Sequence, residues 1–132
     1  MNSKDKGKRG EREAARLLGD LFGCEFRRSQ QYAGNVDAAD VVGGPSELHW
    51  EVKHQERMQL YKWMEQAQND CGDKLPCVLH RQNRREWLLT ISATELFRLF
   101  RILQQWGKPI DNTMKFGALG DSCSGSTSES QT

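Results

Sequence analysis

The segment Leu48-His49-Trp50-Glu51-Val52-Lys53-His54 sets a carboxylate and an ammonium two positions apart inside an apolar stretch. In a strand, successive side chains alternate between the two faces. Leu48, Trp50 and Val52 then point into a core, while His49, Glu51 and Lys53 share the opposite face. Asp40 stands eleven residues before Glu51, with the turn signal Gly43-Gly44-Pro45-Ser46 between them. A strand over 38–42, folded back by that turn, brings Asp40 toward Glu51. Two converging carboxylates repel each other unless a cation lies between them. Hard oxygen ligands without sulfur or paired imidazole favour Mg2+, with Mn2+ as a substitute. Such an ion can polarise a phosphodiester and acidify its bound water. Lys53 would orient that water or offset the charge building on phosphorus. An E-x-K on a strand is more often a solvated ion pair; the Asp40-Val41-Val42 strand and the glycine turn favour the chemical reading.

Other residues carry weaker signals. Gln66 and Gln68 lie on the helix after the lysine strand, where either could approach the site or simply form a polar face. By alternation His49 shares the active face and His54 does not. Arg81, Arg84 and Arg85, at a hairpin tip, could hold a phosphate backbone or be plain solvated charge. Trp63, Trp87 and Trp106 read as core or interface.

The elements that must position these groups follow from periodicity. Ala14, Leu17, Leu18, Leu21 and Phe22 recur at helical spacing over 10–22, and Gly23 is a stop. A short strand is expected at 24–29, a polar loop at 30–35, then the strands 38–42 and 48–54 as a hairpin. A helix over 58–69 follows, with two strands, 76–79 and 86–91, around a basic turn. Ser92 and Glu95 stand in the S-x-x-E arrangement of a capping box. They open a last helix whose Leu96, Phe97, Phe100 and Leu103 face reads most simply as core, or as a dimer contact. The order αβββαββα implies an α/β fold with a mixed sheet flanked by helices.

The chain has 132 residues, 36% hydrophobic and 28% charged, which suits one domain with one modest core. We expect a basic flexible arm at 1–9, a folded domain at 10–116 and a disordered Ser/Gly-rich tail at 117–132. No apolar run reaches the roughly 20 residues needed to span a bilayer, and no apolar h-region follows the N-terminal lysines. A soluble, cytoplasmic protein is the expectation. Cys24, Cys71, Cys77 and Cys123 form no CxxC pair, and His49, His54 and His80 complete no zinc spacing. The thiols are expected free, with a Cys71–Cys77 pair as the alternative. The net charge of +1 is unevenly spread: +3 over 1–31, −4 over 32–79, +4 over 80–117 and −2 beyond. An acidic centre between basic segments, Lys8 and Arg9 in the first and Arg81, Arg84 and Arg85 in the second, suits a metal site held against a phosphate backbone.

The blocks Lys8-Arg9-Gly10-Glu11-Arg12-Glu13, Phe26-Arg27-Arg28-Ser29, Ala39-Asp40-Val41-Val42 and Trp50-Glu51-Val52-Lys53 occur in an order that resembles a known family. It is that of the archaeal-type Holliday junction resolvases and their phage relatives, within the PD-(D/E)xK nuclease superfamily. The likeness spans residues 7–91 and implies a restriction-endonuclease-like fold. It further implies that Glu11, or alternatively Glu13, reaches a metal held by Asp40, Glu51 and the backbone carbonyl of Val52. Lys53 would be the catalytic lysine, and Arg27, Arg28 and Ser29 would face the scissile phosphate. Asp37 is a weaker alternative to Asp40. Ala39 departs from the proline of the motif's name, and the loop 30–36 is this chain's own, which bears on substrate structure more than on chemistry. The implied activity is Mg2+-dependent cleavage of branched DNA by a homodimer, because two matched cuts call for two sites related by a two-fold axis. Cleavage of linear, flapped or single-stranded DNA, and an inert DNA-binding module, are the other readings.

Overall fold

A computed structural model describes residues 3–29 and 39–107. Asp37, the whole loop 30–36, Cys123 and the tail 117–132 lie outside the described residues, as does the end of the domain expected at 10–116. Helix α1 spans Ser3–Phe22 and buries Ala14, Ala15 and Leu18. It ends at Gly23, whose positive φ of 69° lets its N–H and that of Cys24 bond back to the Gly19 carbonyl. Residues 3–9, expected as a loose arm, are part of this helix. Once the core anchors the later turns, each further residue adds a hydrogen bond without a new nucleation step. Asp5 in the first turn suits the helix dipole. Lys6 also reaches Glu56 at 3.9 Å.

Among the described residues, five strands follow the anticipated order: β1 (Phe26–Arg28), β2 (Val41–Gly43), β3 (Leu48–His54), β4 (Leu75–Arg81) and β5 (Leu88–Thr90). They lie side by side in that sequence, with β3 and β4 parallel and the other pairs antiparallel. Helix α2 (Leu60–Asp70) is the crossover that the parallel pair requires. The β2–β3 turn depends on glycine. Gly44 has φ +64°, and a Cβ there would sit 2.6 Å from the Phe26 ring.

The sheet separates two apolar layers. On one face Leu48, Trp50 and Val52 pack with Val41, Leu75, Cys77, Leu79 and the buried stripe of α1, with Leu99 and Ile102 of helix α3 (Leu96–Gly107) against them. Trp63 and Ala67 of α2 cover Val78 on the other. The fold is thus the mixed α/β sheet expected. Cys24, Cys71 and Cys77 are free thiols, and burial pushes that of Cys77 up to about 12.

Two expectations for α3 are corrected. Ser92 makes no capping hydrogen bond: its hydroxyl lies 3.1 Å from the Thr94 hydroxyl, and the Glu95 amide bonds the Ser92 carbonyl instead. The entry is a tight 3-10 turn at Ala93–Glu95, which satisfies that amide through the backbone. Nor is the Leu96/Phe97/Phe100 stripe core. Phe97 is 71% exposed and Leu96 and Phe100 more than half so. The helix carries two apolar stripes, and Leu99, Ile102 and Trp106 occupy the inward one.

Candidate active site

The site is built from β3 outward. Val41 pairs with Trp50, so the preceding Asp40 lies beside Glu51 on the other face of the sheet. Asp40 is held from several sides. Its N–H donates to the Trp50 carbonyl at 2.9 Å, its own carbonyl accepts from Ser29 N–H at 2.9 Å, and its Oδ2 accepts from Val52 N–H at 2.8 Å. The carboxyl is forced upward to about 7, first by burial and next by the charge of Glu51; Glu11 adds to this, while the Val52 N–H and Lys53 oppose it. Glu51 is 2% exposed, with Oε2 3.8 Å from Lys53 Nζ and Oε1 3.6 Å from His49 Nε2. Lys53 Nζ donates to Gln66 Oε1 at 3.1 Å.

Glu11, Asp40, Glu51, Val52, Lys53 and Gln66 all border one cleft of about 520 Å3. The two alternatives for the first-helix carboxylate therefore separate. Glu11 borders the cleft, with its Oε1 accepting from Arg28 Nε at 2.8 Å, whereas Glu13 pairs with Arg81 at 3.5 Å. Gln66 and Gln68 separate likewise. Trp63 and Ala67 mark the inward stripe of α2, and position 66 sits one turn from Trp63, whereas Gln68 borders a different hollow. Lys6, His54 and Arg57 also border the cleft and were not foreseen as doing so. Lys6 was assigned to an arm, and His54 ends the strand, where alternation no longer decides exposure.

The remaining basic residues lie around this centre. Arg27 is exposed on β1 and Arg28 is committed to Glu11. Lys8 and Arg9 lie on α1 and do not line the cleft. Arg81 lies over the Trp87 ring at 5.7 Å, while Arg84 and Arg85 are exposed in the following turn. That turn is tied to the cleft's rim, because Gln82 Nε2 donates to the Glu56 carbonyl at 2.7 Å and Asn83 N–H donates to the Glu56 carboxylate.

Among the described residues, no three His, Cys, Asp or Glu side chains converge as a ready ligand set. The oxygens present nonetheless suit a cation that keeps several of its waters. Asp40 and Glu51 are buried side by side, and Val52, which gives its N–H to Asp40, turns its carbonyl toward the same strand edge. A divalent ion would relieve the repulsion that raises Asp40. No described helix is long and apolar enough to cross a membrane. The family model described as "Phage putative PDDEXK endonuclease" matches residues 2–120. No curated protein and no solved structure matches the chain.

Proposed function

Because the chain belongs to this phage PDDEXK endonuclease family, we propose that it is a Mg2+-dependent DNA endonuclease acting on branched DNA, as in Holliday junction resolution. The observation that carries the reading is the meeting of Asp40 and Glu51 on neighbouring strands, with Lys53 Nζ 3.8 Å from Glu51. Asp40, Glu51 and the Val52 carbonyl would hold the ion, with Glu11 approaching from α1. A bound Mg2+ supplies phosphodiester polarisation and a more acidic water. Lys53 places an ammonium where negative charge develops on the phosphate, and Gln66 restrains that ammonium. The basic residues on both sides of the acidic centre, Lys8, Arg9, Arg27 and Arg28 toward one end and Arg81, Arg84 and Arg85 toward the other, would grip the DNA backbone, with the Ser29 hydroxyl beside the first group.

The branched substrate and the homodimer rest on the ordered blocks that resemble the resolvases and on the need for two matched cuts. The exposed Leu96, Phe97 and Phe100 stripe gives a second copy a surface to cover. Cleavage of a four-way junction in Mg2+, compared with flapped, linear and single-stranded DNA, tests the reading. The junction should be cut best, and Asp40→Ala should abolish cutting. No nicking by wild type, or undiminished nicking by Asp40→Ala, would sink it. Preferred cutting of linear, flapped or single-stranded DNA would keep the nuclease and discard the junction.

One observation favours the inert DNA-binding module, namely that Glu11 is engaged by Arg28 and, among the described residues, no third side chain completes the ligand set. Such a module gains no thermal stability from Mg2+ or Mn2+, whereas a metal-binding site gains RT ln(1 + [L]/Kd).

A further inference from the structure

Buried polar side chains normally find partners. His49 does not. Its side chain is fully buried, and among the described residues neither Nδ1 nor Nε2 has a hydrogen-bond partner. Facing it at 3.6 Å is Glu51 Oε1, also buried and also without one. A potential donor and an acceptor thus face each other just beyond hydrogen-bond distance. Across the parallel strand pair His49 lies opposite Pro76, whose side chain offers it nothing polar. An apolar residue would fill such a position at lower cost, since a buried unpaired imidazole forfeits its solvation. Position matters as well. Glu51 borders the cleft and His49 does not, so the imidazole stands behind the carboxylate rather than beside a substrate.

We infer that His49 is a positioning residue for Glu51. Closing the 3.6 Å gap lets its Nε2–H donate to Oε1 and set the carboxylate's orientation, which keeps Oε2 on the side of Lys53 Nζ, 3.8 Å away. This rests on the metal-dependent reading of the site. Groups that orient metal-binding carboxylates in this way change affinity by about 10- to 100-fold when removed.

The test is calorimetric titration of the full chain with Mn2+, alongside thermal unfolding without metal, for wild type and three variants. His49→Leu removes the donor, His49→Asn carries an amide too short to reach Oε1, and His49→Gln brings an N–H close to the place of Nε2. His49→Leu and His49→Asn should weaken Mn2+ binding by about 10- to 100-fold, His49→Gln should bind nearly as wild type does, and the metal-free melting temperature of His49→Leu should not fall. On the junction substrate kcat should drop with the Mn2+ affinity while KM for DNA holds, because the imidazole touches no DNA. Should His49→Leu fail to fold, the Asn and Gln variants decide. Wild-type affinity in the Leu or Asn variant, or a Gln variant as weak as the Leu one, would overturn the role of His49 and leave the metal site standing. A wild-type protein that binds no Mn2+ would overturn the metal reading itself, and this inference with it.

Discussion

At the scale of single residues, the proposed chemistry turns on a carboxyl that burial and Glu51 hold near 7 against an ordinary value of 3.8. Between those values the folded chain keeps a proton on Asp40 that the unfolded chain has released. Folding then binds more protons than unfolding, so the contribution of Asp40 to stability is greatest below about 3.8 and is lost as pH rises through about 7. His54 and His80 act in the opposite sense. Burial lowers both, so they add stability as pH rises through their range. The effect of Asp40 is therefore read as a difference. In chelator, the melting temperature of Asp40→Asn should overtake that of wild type as pH moves from 4 to 8, and parallel curves would refute the assignment. Added Mn2+ should stabilise wild type most at the alkaline end and leave Asp40→Asn almost unmoved. Lys53 makes a different prediction, since on the proposed reading it supplies charge to the reaction and not to the ion. Lys53→Met should lose cleavage on the order of 100- to 1000-fold while keeping the Mn2+-induced thermal shift. A lost shift would assign the lysine to the integrity of the site instead.

At the scale of elements, the close approach of α1 to β3 brings Lys6, Gly7 and Glu11 to the cleft, and Gly10 permits it. A Cβ at position 10 would meet His54 Cβ at 2.8 Å, whereas one at position 7 meets nothing within 4 Å. Helix propensity alone favours alanine over glycine by about 1 kcal/mol at both positions. Gly7→Ala should therefore stabilise the chain by up to that amount, and Gly10→Ala should destabilise it by about 1–3 kcal/mol through overpacking. Urea unfolding of the two variants measures this, and a stabilised Gly10→Ala would mean that the helix can move away from the strand freely. The same elements show what the sequence could and could not convey. Strand β3 was legible to the residue, because Leu48, Trp50 and Val52 alternate with Glu51 and Lys53 and the glycines of the turn admit few backbones. The order of strands and helices was legible for the same reason. The first turns of α1 were not, because a solvated helix end has no apolar period. The outward stripe of α3 reads as core from the sequence because a helix with two apolar stripes does not say which of them meets the sheet. Glu11 could not be chosen over Glu13, nor Gln66 over Gln68, until the rotation of each helix was known. His49 stood out only as a neighbour on the active face; its complete burial beside Glu51 is a matter of tertiary packing that strand alternation does not convey.

At the scale of the whole molecule, the open question is what covers the apolar surface around α3. Leu88 and Leu89 on the edge strand β5, and Leu96, Phe97 and Phe100 on the outer stripe of the following helix, are large apolar side chains about half exposed or more. Single exposed leucines are ordinary; aromatic and aliphatic side chains aligned along one helix are a surface that soluble chains usually cover. In a two-fold dimer each copy presents the same patch, so a stripe along a helix can pack against its own image. Phe97→Glu combined with Phe100→Glu places four like charges in such an interface and should yield a monomer in sedimentation velocity. These side chains lie outside the monomer's core, so the melting temperature of the separated chain need not fall beyond what the lost association accounts for. The nucleolytic consequence is specific. If two linked sites make the paired cuts, the double variant should still nick a junction in Mg2+ but should release nicked intermediates in place of resolved duplexes. A wild-type chain that sediments as a monomer at every concentration used for cleavage, yet yields paired cuts, would place the symmetry in the DNA and not in the protein.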